Sequence, residues 1–393
     1  MATQVTTRAS PTPTVRVPPG FARVAGGLVV VAALYLRWRS AGAWNFVDLE
    51  DFFYGGSSVM DGSDVYAARP GVLPFNYPPF AAVAFVPLAL VGLPVAKVLF
   101  TAATLGAYAA SLTAVRRSAE ISWGAIVFVG LLGLSLEPVV RALVLGQIGV
   151  ILMALVLTDL FLVPPRFRGV LIGVAAGVKL TPALFVLCLV VRRDWASVGR
   201  AAGAALATIG IGWLAAPQSS QRYWLGGFDK LDRFGDLAFT SVNQSLTSFV
   251  ARLVGSPSSP LLWAACVAAA ALTVAVVTNL VRRGDWLGVT LAVAGATLMI
   301  SPISWTHHWV WAVPLIAHLV GAGRVFIAAA VAIVTFAAPM WWVPETDALS
   351  VGQLILSYAY LLGCIALMLC ALVSRWRLAS LQGLEHDSHR AAP

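Results

Sequence analysis

Three carboxylates crowd the stretch Asn45–Phe53, where Asp48, Glu50 and Asp51 lie among Phe, Val and Leu. Asp48 and Asp51 share a face if the stretch is helical, because side chains three positions apart are neighbours on a helix. A carboxylate that is partly withdrawn from water has a raised pKa and can act as a general base. We therefore predict that at least one of these residues removes a proton from a substrate.

Two further polar pairs lie next to apolar segments. Asn76 and Tyr77 belong to the sequence LPFNYPPF, whose prolines suit the first turn of a helix. We predict that both side chains face hydroxyl groups of a substrate. Arg141 and Gln147 lie between two apolar segments, where an Arg and a Gln can contact a phosphate or a sugar.

Lys179 lies at the centre of the apolar segment 168–191, in the sequence GVKLTP. A charged side chain in an apolar membrane segment is costly, so it marks a candidate functional site. Pro182 disfavours helix at Thr181, and we predict two short helices that meet at Lys179 near the outer surface. An ammonium group at that position suits an anionic lipid head group.

The sequence SPISWTHHWVW, residues 301–311, combines two histidines with three tryptophans. We predict that His307, His308 and Trp309 bind substrate, because tryptophan faces suit sugar rings. Adjacent helical residues point about 100° apart, so the two histidines are not expected to hold one ligand together, and which of them faces the site stays open. Asn243, in the long loop 216–259, is a further candidate for substrate binding.

The composition is that of a membrane protein. Of the 393 residues, 59% are hydrophobic and 11% are charged, whereas a soluble domain carries roughly 25% charged residues. The net charge of +9 comes from short basic clusters between apolar runs, which is typical of cytoplasmic loops and not of a nucleic-acid-binding module. We therefore predict an all-α integral membrane protein that binds no nucleic acid.

The basic clusters also predict a path through the membrane, because cytoplasmic loops carry an excess of Lys and Arg. The path has a disordered cytoplasmic tail over 1–20, one membrane domain over 21–373, and a second cytoplasmic tail over 374–393. The loops 39–93 and 216–259 lie outside and contain short interfacial helices. The twelve predicted spans are 21–38, 94–115, 121–136, 147–163, two half-length spans within 168–191, 196–215, 261–281, 286–301, 306–322, 324–342 and 351–373.

The order of these motifs resembles that of a known family. An acidic motif after the first span is followed by FNYPPFAA, LGQ, KLTP and SPISWTHHW. This series is similar to the GT-C glycosyltransferases and, more narrowly, to glycosyltransferase family 87, the polyprenyl-phosphate-mannose-dependent α-(1→2)-mannosyltransferases of actinobacteria. The resemblance covers residues 21–373.

The resemblance implies a GT-C architecture and a reaction on the outer face of the membrane. The donor would be polyprenyl-phosphate mannose, and the acceptor a mannosylated lipid such as a phosphatidylinositol mannoside or a lipomannan. The family's base corresponds to Asp48, with Asp51 as the reserve and Glu50 outside the chemistry. Transfer would invert the anomeric carbon, with Lys179, Arg141 and one histidine near the leaving phosphate. No cofactor or metal is expected.

A transporter or flippase of a lipid-linked glycan is the alternative. Such a protein needs polar groups through both halves of the membrane, and the inner half of the predicted spans has few apart from Asp159. The sequence therefore favours a transferase.

Overall fold

The computed structural model describes residues 19–40, 44–119, 121–226, 239–344 and 349–373. The predicted tails lie outside these ranges, except that the first helix already begins at Pro19. The described chain forms eighteen α-helices: α1 Pro19–Ser40, α2 Val47–Asp61, α3 Pro79–Ala89, α4 Leu93–Ala119, α5 Trp123–Gly133, α6 Glu137–Leu145, α7 Gly149–Phe161, α8 Val170–Val178, α9 Val186–Val191, α10 Trp195–Ala215, α11 Pro217–Leu225, α12 Leu246–Val254, α13 Pro260–Arg282, α14 Trp286–Ile300, α15 Ala312–Gly321, α16 Val325–Ala337, α17 Val351–Ser357 and α18 Ala359–Val373.

Four of the described helical stretches are long and apolar enough to cross a membrane: α4, α10, α13 and the run Val325–Trp342 that begins with α16. The number rises to six if two bent pairs each form one crossing, α5 with α6 and α17 with α18. An apolar helix of about 20 residues spans the hydrocarbon core, so the prediction of an all-helical membrane protein is confirmed at this level.

Two predicted elements differ from the structure. Residues 137–145 were interpreted as a connection between spans, but they form the buried helix α6, which Pro138 starts and Gly146 ends in a left-handed conformation. The single span predicted over 351–373 is broken at Tyr358, where α17 and α18 meet at 81°. Pro138 and Gly146 are local signals that bound α6, whereas no proline or glycine marks the break at Tyr358, whose side chain is fully buried.

Helices α2 and α3 pack closely outside the candidate spans. Gly56 makes this possible, because a Cβ at that position would lie 2.7 Å from the carbonyl oxygen of Phe85. The ring of Phe52 stacks on that of Phe85 with centroids 4.5 Å apart. The carboxylates at the start of α2 are thereby held by a rigid, buried aromatic cluster.

Helix α8 is pressed against α10 along three glycines four residues apart, Gly169, Gly173 and Gly177. A Cβ at any of them would collide with Ser197, Ala201 or Thr208. Small residues at this spacing let helix backbones approach closely in membranes. The close packing sets the height at which α8 ends, and therefore the position of Lys179.

Candidate active site

The N-terminal end of α2 packs against the C-terminal end of α6. The amide of Phe46 donates a hydrogen bond to the Val144 carbonyl, 3.0 Å away. Gly146 leaves room for this contact, since a Cβ there would lie 2.6 Å from that of Leu49. This joint brings Asp48, in the first turn of α2, next to Gln147, which follows α6.

Asp48 and Asp51 form an electrostatically coupled pair one helical turn apart. Burial raises the pKa of Asp48, and the hydrogen bond from Gln147 and the charges of Lys179 and Arg141 oppose that rise. Burial and the charge of Asp48 raise the pKa of Asp51 to about 8. Because both cations and the amide act on Asp48 and not on Asp51, Asp48 is the member of the pair whose charged form is favoured.

Gln147 lies near both the carboxylate and Tyr77. Its side-chain amide opposes the rise in pKa that burial causes in Asp48 and in Tyr77. The residue is 4% exposed, and its amide oxygen Oε1 has no hydrogen-bond partner within the described part of the chain. A buried polar atom without a partner is rare in folded proteins, so this oxygen is suited to accept a hydrogen bond from a substrate hydroxyl.

Lys179 also faces the group formed by Asp48, Gln147 and Tyr77. The residue is extended (φ −148°, ψ 134°) between the end of α8 and a 3₁₀ turn that begins at Thr181. This agrees with the break predicted from the KLTP sequence. Its Nζ lies 3.2 Å from Nε2 of His308 and 5.4 Å from the centre of the Tyr77 ring. A cation thus borders the carboxylate, the histidine and the tyrosine.

The two histidines lie in a 3₁₀ helix, Thr306–Trp311, which we call the histidine segment. Their rings meet edge to face with centroids 4.7 Å apart. Successive side chains of a 3₁₀ helix point about 120° apart, and His308 is the one in contact with Lys179. His307 is 6% exposed, and its Nε2 has no hydrogen-bond partner among the described residues.

A cavity of about 80 Å³ opens beside this contact, and we call it the polar cavity because polar residues line part of its largely apolar wall. Lys179 and His308 line it together with hydroxyl groups of Thr181, Ser301 and Ser304. Thr297 lines it as well. None of these four residues was predicted from the sequence as a site residue, although Thr181, Ser301 and Ser304 lie within predicted motifs. An apolar cavity of about 330 Å³ adjoins the polar one, and the two share Leu298 and Trp311 in their walls.

Several predicted residues lie elsewhere or have other partners. Glu50 forms an ion pair with Lys97 at 2.9 Å, apart from Asp48. Asn76 is exposed. Asn243 is fully buried, and its side chain binds the Pro302 carbonyl and the Ser304 amide, so it braces the approach to the histidine segment. Trp309 is buried beside Tyr360 and lines the apolar cavity.

Arg141 lies one turn after Glu137 on α6, and its positive charge acts to lower the pKa of Asp48. Its guanidinium carbon lies 5.1 Å from the centre of the Trp341 ring. No group of three or more His, Cys, Asp or Glu side chains within the described ranges is placed to hold a metal ion.

Asp51 leads to a prediction about pH and stability. Its folded-state pKa of about 8 lies above the value of about 3.9 for an unfolded aspartate. Between these values only the unfolded chain releases the proton, so stability falls as pH rises, by up to about 1.4 kcal/mol per pH unit. We expect Asp51→Asn to raise the thermal midpoint in detergent at pH 8, and the gain to shrink toward pH 4. A gain that is equal at both pH values would contradict this.

A cation and a histidine that line a cavity, with a carboxylate near the cation, equip a membrane protein to transfer a group to a hydroxyl. Comparison with known proteins identifies the class. The chain belongs to glycosyltransferase family 87, whose model matches residues 75–302, and the predicted resemblance is confirmed. Asp48 and His308 lie outside the matched range, so their assignment depends on the geometry above.

Relatives with assigned activities extend the comparison. The chain is 35% identical over 326 residues to the polyprenol-phosphate-mannose-dependent α-(1-2)-phosphatidylinositol mannoside mannosyltransferase of Mycolicibacterium smegmatis, which covers 74% of this chain and 73% of the relative. It is 36% identical over 321 residues to the corresponding phosphatidylinositol pentamannoside mannosyltransferase of the same organism, and the match covers 76% of this chain and 75% of that relative. No solved structure matches the chain.

Proposed function

We propose that this protein transfers mannose from polyprenyl-phosphate mannose to a mannosylated phosphatidylinositol lipid, forming an α-(1→2) linkage on the outer face of the membrane. The observation that carries the proposal is the contact of Lys179 with His308 at 3.2 Å, next to the Asp48 carboxylate on which the charges of Lys179 and Arg141 act. The names of the relatives supply the donor, the linkage and the class of acceptor.

The proposed reaction is a single displacement. Asp48 removes the proton from the acceptor hydroxyl, whose oxygen attacks the anomeric carbon as the bond from that carbon to the phosphate oxygen breaks. A polyprenyl phosphate leaves as a stable anion, so no strong general acid is needed. Lys179, Arg141 and His308 stabilise the charge that develops on the phosphate. With these groups in place, we propose a metal-independent reaction that inverts the anomeric carbon.

The two adjoining cavities support a lipid-linked donor. The polar cavity contains the cation and the hydroxyl groups that a sugar phosphate requires, and the apolar cavity provides space for hydrocarbon. The two kinds of relative are almost equally similar to the chain, at 35% and 36% identity. Identity therefore does not select one acceptor, and the proposal is limited to the class of mannosylated phosphatidylinositol lipids.

The arrangement of charges supports a site on the outer side. Arg192 donates to the Leu160 carbonyl at the end of α7 and packs over Trp286 at the start of α14. These helix ends, with their Arg residues, form one basic face, which the positive-inside rule places in the cytoplasm. The opposite ends of the same helices, at Gly149 and Ser301, line the polar cavity. We propose twelve membrane crossings in a GT-C architecture, with both termini cytoplasmic.

Reconstitution tests the proposed function. Purified protein in lipid nanodiscs is incubated with polyprenyl-phosphate [¹⁴C]mannose and a panel of phosphatidylinositol lipids that carry different numbers of mannoses. We expect a product extended by one α-(1→2) mannose, with or without EDTA. Failure to transfer with every acceptor would refute the proposal, as would transport of the donor across vesicles without any product.

Cysteine labelling tests the sidedness. In a background without the four native cysteines, Ser63→Cys follows α2, and Ala196→Cys lies at the start of α10 on the basic face; both positions are exposed. We expect a membrane-impermeant maleimide to label the first in intact cells, and the second only after permeabilisation. The reverse pattern would place the site in the cytoplasm.

A further inference from the structure

Glu137 is a buried carboxylate to which the proposed mechanism gives no role. It begins α6, is 2% exposed, and accepts hydrogen bonds from three other elements. Thr306 Oγ1 and Trp341 Nε1 donate to its Oε1 at 2.7 Å and 3.0 Å, and the Tyr360 hydroxyl donates to its Oε2 at 3.1 Å. A buried polar group is tolerated when it is hydrogen-bonded, and both oxygens of this carboxyl group are.

Two of these donors lie next to groups of the candidate site. Thr306 directly precedes the histidines, of which His308 contacts Lys179 at 3.2 Å. Trp341 packs its ring against the guanidinium of Arg141. The described lining of the polar cavity does not include Glu137 itself, so any effect on a substrate must pass through these neighbours.

The histidine segment needs such support. Its 3₁₀ geometry has poorer hydrogen bonds than an α-helix, and Trp309 departs from helical angles (φ −81°, ψ 21°). Asn243 holds the chain just before the segment through Ser304, and Glu137 holds its first residue through Thr306. A displacement of about 1 Å in a catalytic group can reduce a rate about 100-fold.

We propose that Glu137 is a positioning residue: through Thr306 it sets the contact between His308 and Lys179, and through Trp341 it sets the place of Arg141. This inference rests on the proposed function for its consequence in transfer, and on the three hydrogen bonds for its geometry. The positioning depends on the acceptor oxygens of Glu137. A side chain that keeps an oxygen at the place of Oε1, as glutamine does, therefore retains the positioning.

Three variants test the proposal by kinetics. Thr306→Val removes one donor and keeps the shape; we expect kcat to fall about 10-fold while the donor KM changes less than about 3-fold. Glu137→Ala should lower kcat about 100-fold. Glu137→Gln keeps Oε1 for Thr306 and Trp341, and Tyr360 can donate to the Thr335 carbonyl 3.2 Å away, so we expect it to retain most of the activity.

Thr273→Val is the matched control, because the Thr273 hydroxyl is also buried and bonds only the Ala269 carbonyl of its own helix among the contacts described. Its kcat should equal that of the unmodified protein. The inference fails if Thr306→Val has normal kcat or if Glu137→Gln is as inactive as Glu137→Ala. It also fails if the fall in kcat of every variant is proportional to the fall in its thermal midpoint, since lost stability would then explain the lost activity.

A second measurement does not need transfer. Diethyl pyrocarbonate labelling of His308, followed by mass spectrometry, should be about 3-fold or more faster in Thr306→Val, because the segment is loosened. His318, which is paired with Asp285 at 3.1 Å, is the internal reference. Unchanged labelling would overturn the inference, whereas changed labelling in a protein that transfers no mannose would sustain it and refute the proposed function alone.

Discussion

Replacing Asp48 with asparagine is expected to lower kcat for mannose transfer by about 10²- to 10⁴-fold, which is the usual contribution of a general base. Asparagine keeps the size of the side chain, but it cannot take a proton. Initial rates at saturating donor measure the change. Binding of the lipid substrates should persist, because the cations that face the phosphate remain.

Glu50→Gln is the matched control for this variant. Glu50 lies two positions away on the same helix, but its carboxylate pairs with Lys97. We expect its kcat to stay within about 2-fold of the original value, since a partly exposed ion pair contributes little to stability. Full activity in Asp48→Asn would exclude Asp48 as the base, and Asp51 would then be the remaining candidate for that role.

Replacing Lys179 with methionine is expected to reduce kcat by about 10²- to 10³-fold, the loss typical of one preorganised group that stabilises developing charge. Methionine has nearly the length of lysine, so the apolar stem is retained and the charge is lost. Donor binding should also weaken, because the ground-state phosphate is already anionic. Single-turnover rates and donor KM, measured together, separate the two effects.

Lys97→Met provides the comparison, since it removes a lysine of the same fold that pairs with Glu50 outside the cavity. A loss of similar size in both variants would indicate that charge on the outer surface, and not the position of Lys179, controls the rate. Normal transfer in Lys179→Met would remove this residue from the phosphate site.

The sequence predicted those features that short stretches of chain control. Pro79 at the start of α3 and the break at Lys179 follow from the fixed geometry of proline, and both are present. Asp48 and Asp51 lie on one helix, as their spacing suggested. The order of the motifs resembled that of a known family, and the comparisons confirmed that family.

Other features depend on residues far apart in the chain. Glu137 meets Thr306 across 169 positions and Tyr360 across 223, and no local pattern relates Glu137 to either of them. Asn243 looked suited to a substrate, but its amide is occupied by residues 302 and 304. Helix α6 was missed because its nine residues are too few for a membrane span, so they were interpreted as a connection, although they are more apolar than an ordinary loop.

By itself the sequence determined the class of protein and its helical membrane character, because composition carries that information, and its motifs resembled a family and offered Asp48, Lys179 and the two histidines as candidates. The tertiary structure alone decided how these groups meet: which carboxylate faces the cations, which histidine contacts the lysine, and that Glu137 bonds Thr306 beside the histidines. Such contacts are made by side chains from separate helices, and their distances are set by packing and not by any local pattern.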